Sequence, residues 1–566
     1  MKKVIPVIVA VILIIAIAVV GFGGMVLEKY SYGTETADMD EYFGVTGEEL
    51  AIVLQDEIVE EKAIARDGVV YFDLDTVQKY FNEGFYVDVA EEKLLYTTAT
   101  QTIMAVFGAK EYSDKEGIHA LEYAPCFAEG EVIFLAADFA KRFANFSYEA
   151  FERHLQVYTE WGTAQIMTIN KDTQVREKGG IKSPILREIA TGEEVEILEE
   201  METWTKVKTS DAIIGYVENK RLEGLDTRVE MPVEDYVPEE YASIQLDKTI
   251  NLGWHAIGGP AGNDTLGEAV TEGKGMNVIA PTWFSLTDNE GNFRSFADSN
   301  YVTKAHSYGL QVWAVWDNFN YKNETGADVS TLAVLSSTTN RQRLVQNMVD
   351  TSLSLGVDGI NIDYEGLTEE CGIHYIQFLR ELSVLCREKN LILSIDNYVP
   401  FNFNNYYRLD IQGQIADYVI IMGYDEHWHG SGDPGSVASI DYVSNGLDRT
   451  LEQVPAEKVV NALPFYTIQW KTEGAKVTDQ YLTLKNTVEF IARTGVKPVW
   501  DDVTCQNYAE WKSGDALYQI WFEDAESIKV KLNVMNAKDI AGVAVWRLGY
   551  GTAEVWALLE AYTLMN

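Results

Sequence analysis

Gly356-Val-Asp-Gly-Ile-Asn-Ile-Asp-Tyr-Glu-Gly366 is an apolar segment that nonetheless carries Asp358, Asn361, Asp363 and Glu365. Read as a strand, alternate residues share a face. Asn361, Asp363 and Glu365 then point one way, and Ile360, Ile362 and Tyr364 the other. Two carboxylates at i and i+2 near the end of a strand repel each other, which favours one of them keeping its proton. That makes Glu365 a candidate general acid near neutral pH. The pattern alone leaves a second reading open, an acidic strand end that caps the next helix or holds a cation.

Outward from this segment, apolar runs alternate with helical stretches, the order expected of a parallel α/β barrel. Strands are expected at Ile250–Trp254, Met276–Ala280, Gln311–Val315, Gly359–Glu365, Leu391–Ile395, Tyr418–Met422, Val459–Leu463 and Gly542–Trp546. These eight define a C-terminal (β/α)8 TIM barrel over residues 245–566, with the excess length inserted between the seventh and eighth strands. Active sites in this fold lie at the C-terminal strand ends, where Asp363 and Glu365 fall.

The order Asp358, Asn361, Asp363, Glu365 closely resembles the signature of chitinase-type family 18 glycoside hydrolases, Asp-x-x-Asp-x-Asp-x-Glu, departing from it at Asn361. Met422-Gly-Tyr-Asp425, Pro464-Phe-Tyr466, Asp524-Ala-Glu-Ser-Ile528 and the strand end at Trp546 are similar to further family segments. The resemblance spans 249–566. It implies hydrolysis in which the substrate's own 2-acetamido oxygen attacks the anomeric carbon, with no protein nucleophile. In that reading Glu365 protonates the leaving oxygen and then activates water, and Asp363 orients the acetamido N–H and stabilises the developing positive charge. Tyr424 holds the acetamido oxygen for attack, and Trp546 forms an apolar floor under the sugar. Asp425 and Tyr466 are expected to touch substrate; Asp358 and Asn361 are expected to support the strand. An Asn donates a hydrogen bond but relays no proton, so a shifted pH profile is expected. Trp283, Trp313, Trp316, Trp428 and Trp470 are candidates for lining a glycan cleft or for the barrel core.

Composition narrows the partners. The 566 residues include 87 acids against 45 bases, a formal charge of −42, which argues against nucleic acid or anionic lipid. The four cysteines lie far apart with no CxxC spacing, and the seven histidines form no ligand set, so no metal and no cofactor are expected. Lys2 and Lys3 precede an uncharged run from Val4 to Leu27, long enough for a bilayer that needs roughly 20 apolar residues. The expectation is a transmembrane anchor over 1–28 with extracellular C-terminal domains, hence a cell-membrane protein; secretion after signal cleavage is the alternative.

A stalk is expected over 29–45. Residues 46–161 hold a repeat: Gly68–Phe72 matches Gly130–Phe134, Phe81 matches Phe143, and Tyr86 matches Tyr148. Each copy reads as strand, short helix (Leu74–Phe81, then Ala136–Phe143) and strand pair, giving a small α+β module. It resembles the N-terminal domain of copper amine oxidases, without a His or Cys cluster to hold copper. Residues 162–224 alternate as a small β-barrel; Gly192-x-x-Val195, Trp204-x-x-Val207 and Gly215-Tyr-Val217 resemble a bacterial SH3 domain. An acidic, proline-containing linker is expected over 225–244. Together these features point to a surface hydrolase of β-linked N-acetylglucosamine glycan, with peptidoglycan first. The alternatives are a chitinase-like enzyme and a glycan-binding protein without activity.

Overall fold

The protein is described by a computed structural model that covers residues 5–231, 236–320, 322 and 326–565. Its chain divides into two compact units, Met1–Phe85 with Ala105–Ser113 and Ile118–Pro238, and Tyr86–Met104 with Asp114–Gly117 and Glu239–Asn566.

In the first unit the repeat is seen as two strand–helix pairs, Val69–Asp73 with Leu74–Tyr80 and Val132–Ala136 with Ala137–Ala140. The two strands pair antiparallel, Phe72 opposite Leu135, so the copies lie side by side in one seven-stranded sheet. The second helix is shorter than expected. A second seven-stranded sheet runs from Thr163 to Val229. Its last strand, Leu222–Val229, pairs with Thr163–Ile169 and crosses the boundary expected at 224/225, because alternate backbone groups there find a partner strand. Ile5–Tyr30 is helical, but among the described residues no helix is long and apolar enough to cross a membrane. The anchor expected over 1–28 is therefore not supported. That expectation also took in residues 1–4 and the side chains at 5–7, 18 and 21–28, which lie outside the described residues.

The second unit is built on eight strands: β1 (Ile250–His255), β2 (Val278–Leu286), β3 (Gln311–Asp317), β4 (Gly359–Asp363), β5 (Ile392–Tyr398), β6 (Tyr418–Met422), β7 (Val459–Pro464) and β8 (Gly542–Trp546). Every neighbour pairing is parallel, and β1 pairs with both β2 and β8, closing the barrel. Close packing at β4 depends on Gly359, where a Cβ would meet the Ile392 carbonyl oxygen at 2.8 Å and Trp313 at 3.0 Å. Trp283, Trp313, Trp316 and Trp470 are fully buried in the core, so of the five tryptophans considered for the cleft only Trp428 is exposed. The expected insertion is present after β7, as a five-stranded antiparallel sheet from Tyr466 to Phe522 interrupted by the helix Leu484–Thr494.

The strand pair after the first repeat helix belongs to this second unit. It docks on α1 (Thr338–Leu355) and α2 (Glu369–Lys389). Arg341 is wholly buried; its Nε and Nη2 donate to Glu381 Oε1 at 3.0 and 2.9 Å, and its Nη1 donates to the Tyr86 hydroxyl at 3.2 Å and to the Leu335 carbonyl at 2.7 Å. Gln377 Nε2 bridges Glu381 and Thr97. Asp88 and Glu91 accept from the Thr338 and Thr339 N–H groups, putting negative charge at the N-terminus of α1. Replacing Arg341 by Met leaves the Glu381 carboxylate buried without its cation, a loss of about 3–5 kcal/mol. The thermal midpoint followed by tryptophan fluorescence is expected to fall, and Arg341→Met/Glu381→Gln is expected to recover part of the loss. An unchanged midpoint contradicts this reading of the network.

Candidate active site

The C-terminal rim of the barrel gathers acids from successive strands. Asp317 ends β3 and lies opposite Asp363, which ends β4; Ile362 lies opposite Ile395, so one residue further along Asp363 and Asp396 are neighbours. Asp363, Glu365, Asp396 and Asp425 line one cavity of about 370 Å3, together with Tyr424, Tyr466, Trp546 and Trp254. Tyr466 and Tyr481, from the insertion, complete its wall. The structure therefore brings together Glu365, Asp363, Tyr424, Trp546, Asp425 and Tyr466.

Asp358 lies at the other end of the strand. It accepts from the Val312 N–H and pairs with His306, each at 2.8 Å, and so ties β4 to β3 away from the cavity. Asn361 sits beneath the cavity, wholly buried. Its Oδ1 accepts from Trp254 Nε1 at 3.1 Å, and its Nδ2 donates to Asp396 Oδ1 at 2.8 Å and to Ser394 Oγ at 3.0 Å. An Asp at this position could pair with Asp396 only by sharing a proton, whereas the Asn361 amide gives Asp396 a fixed donor.

Glu365 is held at three points. Asn318 clamps its peptide, the Glu365 N–H donating to Asn318 Oδ1 and Asn318 Nδ2 donating to the Glu365 carbonyl, both at 2.9 Å. The Tyr398 hydroxyl donates to Glu365 Oε2 at 2.6 Å. Burial pushes the Glu365 carboxyl upward against the Tyr398 hydrogen bond, and Asp425 and Asp317 push it the same way. Asp363 and Asp396 are driven well above the usual carboxylate range by burial first. Asp363 is raised further by Asp396, Glu365 and Asp317, whereas Asp396 is held back by the Asn361 hydrogen bond. Asp363 Oδ1 is buried with no hydrogen-bond partner among the described residues. Asp425 adopts a left-handed backbone, φ 62°, and accepts from the Tyr466 hydroxyl. Trp254 and Trp546 meet edge to face with centroids 6.1 Å apart. Among the described residues no group of His, Cys, Asp and Glu is arranged to hold a metal ion.

Asn318, Trp254, Asp396 and Tyr398 are absent from the residues picked out by sequence. Asn318 follows β3, Asp396 and Tyr398 lie on β5 and Trp254 lies on β1, and the available signal was a polar or aromatic side chain at a barrel strand's C-terminal end.

A closed parallel barrel with a carboxylic acid at its C-terminal rim beside a second buried acid and an aromatic floor has the parts of a sugar-hydrolysing enzyme, and comparison with known proteins agrees: the chain is a glycoside hydrolase. Residues 325–551 match the model of glycosyl hydrolases family 18, and residues 171–223 match that of the bacterial SH3 domain. The uncharacterized glycosylase YvbX of Bacillus subtilis (strain 168) is 25% identical over 302 residues, covering 51% of this chain and 85% of that protein. The cortical fragment-lytic enzyme of Bacillus anthracis is 25% identical over 275 residues, 47% of this chain, which spans 63% of that enzyme. Among solved structures, the Bacillus cereus spore cortex-lytic enzyme SleL superposes with a TM-score of 0.50 at 22% identity, over 59% of this chain and 78% of that one. The C-terminal domain of a putative chitinase from Desulfitobacterium hafniense DCB-2 gives a TM-score of 0.50 at 18% identity, over 56% of this chain and all of that one.

Two outcomes are expected. Tyr398→Phe removes a hydrogen bond that favours ionised Glu365, so the Glu365 pKa rises and the alkaline limb of the pH–rate profile moves to higher pH; a limb that stays put or moves down contradicts this assignment. Asp396 binds its proton more tightly in the folded state than unfolded, so its contribution to stability is present at low pH and lost as pH rises through its elevated pKa. Asp396→Asn is therefore expected to raise the thermal midpoint more at about pH 8 than at about pH 4. A uniform shift contradicts it.

Proposed function

We propose that the barrel cleaves the β-glycosidic bond of N-acetylglucosamine units in peptidoglycan by a substrate-assisted, retaining mechanism, acting outside the cell. The observation that carries this is the pairing of a raised, hydrogen-bonded Glu365 with a buried Asp363 oxygen that has no partner among the described residues.

The chemistry follows from those groups. With its pKa raised, Glu365 carries a proton to give the leaving oxygen. The substrate's acetamido oxygen attacks the anomeric carbon from the opposite face, closing a five-membered oxazolinium ring while the leaving oxygen departs with that proton. Asp363 accepts the acetamido N–H on its unpartnered oxygen, and the positive charge growing on the ring favours its ionised form, which then offsets that charge; both effects are large in a cavity stripped of water. Tyr424, buried on the cavity wall, holds the acetamido group in its attacking position. Trp546 supplies the floor. Glu365, now a carboxylate, takes a proton from water as it opens the ring, which returns the anomeric configuration to that of the substrate.

Relatives named for lysis of spore cortex favour a wall glycan, and the bacterial SH3 domain accompanies that reading. The neighbour named as a putative chitinase keeps a chitin-like polymer as the second reading. The repeat module over 46–161, resembling the copper amine oxidase N-terminal domain, serves in this account as a spacer.

Digestion of purified peptidoglycan by the full chain, with released ends identified by mass, tests the proposal. Fragments ending in N-acetylglucosamine are expected from the unmutated protein, with at least about a hundredfold less from Glu365→Gln, as befits loss of a general acid. Equal release by Glu365→Gln would falsify the assignment of the acid.

A further inference from the structure

The cavity that holds Asp363 and Glu365 continues past Trp546. Arg547 and Tyr550 line both that cavity and an adjoining recess of about 300 Å3 that also takes in His255, Thr265 and Glu268. On the opposite side, Glu365, Tyr398, Tyr424, Asp425 and Tyr481 are shared with a larger cleft of about 910 Å3. Phe403, 76% exposed, and Trp428, 56% exposed, stand open along that cleft as stacking surfaces. A sugar lying over Trp546 with its leaving oxygen at Glu365 sends the leaving chain into the larger cleft and the preceding sugar toward Arg547. Glu365 thus sits within a groove that extends both ways.

Each flank presents one guanidinium. Arg547 stacks on the Tyr550 ring, 4.4 Å from its centroid, and its Nη2 donates to the Tyr550 hydroxyl at 2.9 Å. Arg449 lies 4.6 Å from the Phe401 ring centroid, and its Nη1 donates to the Pro400 carbonyl at 3.3 Å. Among the described residues neither forms an ion pair with a carboxylate, although the chain carries 87 acids. Two carboxylates share the recess with Arg547: Glu272 is bound by Lys485, and Glu268 forms no ion pair with Arg547. His255 is held down at about 4 by burial and by the Arg547 charge, so at neutral pH the positive charge lining that recess is Arg547's alone. An arginine oriented by ring stacking and left without a carboxylate, in a groove otherwise lined by acids, is set to receive an anion from outside.

We propose that Arg547, with Arg449 as its counterpart on the leaving-group side, reads carboxylates borne by the sugars on either side of the N-acetylglucosamine that is cleaved. The substrate is then an alternating anionic glycan in preference to a neutral homopolymer. This rests on the hydrolase reading of Glu365. In a polymer that alternates N-acetylglucosamine with a sugar carrying an O-linked lactyl carboxylate, seating N-acetylglucosamine over Trp546 places an acidic sugar at both neighbouring positions. Those are the two positions the guanidiniums flank. A chitin chain brings no anion to either.

The test uses the full chain and three substrates: peptide-free glycan strands with free lactyl carboxylates, the same strands with those carboxyls converted to neutral amides, and the neutral N-acetylglucosamine hexamer. Charge-assisted hydrogen bonds predict that the unmutated protein favours free over amidated strands by about tenfold or more in kcat/KM. Arg547→Gln is expected to collapse that ratio toward one, mainly through KM; Arg547→Lys should restore part of it, and Arg449→Gln should lower it in the same sense. A ratio unchanged by Arg547→Gln, or an equal loss on all three substrates, overturns the inference. Cleavage of the hexamer but not of the strands overturns it while leaving the hydrolase reading intact, and cleavage of none overturns both.

Discussion

Burial of carboxylic acids without a compensating cation is the constraint on which the barrel's rim depends. Asp363, Asp396 and Asp425 converge on a cavity whose lining offers a single positive group, Arg547. Ionising all of them there is far too costly, so burial pushes their pKa values up, and the cluster holds protons where exposed carboxylates would be bare. The protein supports this arrangement with neutral donors. Asn361 donates to Asp396, Tyr398 reaches Glu365, Tyr466 reaches Asp425 and Ser285 reaches Asp317. Each donor is a hydroxyl or an amide, which satisfies an oxygen without forcing ionisation.

The barrel makes that cluster possible because its register brings strand ends to one level. Asp317, Asp363 and Asp396 come from three adjacent parallel strands, and the Asn318 clamp sets the Glu365 peptide just beyond them. The insertion after β7 adds Tyr466 and Tyr481, so the cavity wall is completed by a sheet that is not part of the barrel. On the outside of β4, the buried Arg341–Glu381 pair joins α1 to α2 and to a strand pair drawn from far earlier in the chain.

Much of this was legible in the chain itself. The eight strands are short apolar runs bounded by turn residues, and the acids of β4 sit at i and i+2, a local relation that alternation converts directly into a shared face. Asp396, Asn318 and Trp254 were not legible, because their importance comes from contacts across 35, 47 and 107 residues that only barrel closure creates. Trp283, Trp313, Trp316 and Trp470 show the same limit in reverse. Their nearness to strand ends left cleft and core both open, and only side-chain direction decides for the core. The repeat was visible as a sequence offset, yet its first strand pair packs with the barrel while its second stays in the seven-stranded sheet. A pattern of matching residues carries no information about that exchange of partners.

The central claim is that the substrate's own acetamido oxygen, held by Asp363 and Tyr424, attacks the anomeric carbon. It is tested most directly by hydrolysis rates of aryl β-glycosides whose 2-acyl group is acetyl, difluoroacetyl or trifluoroacetyl. Fluorine withdraws electron density from the amide oxygen while leaving Glu365 and the leaving group unchanged. The account predicts a steep fall in kcat/KM along that series; a flat series, with binding retained, would mean that the acetamido oxygen is not the nucleophile and that Asp363 has a different role.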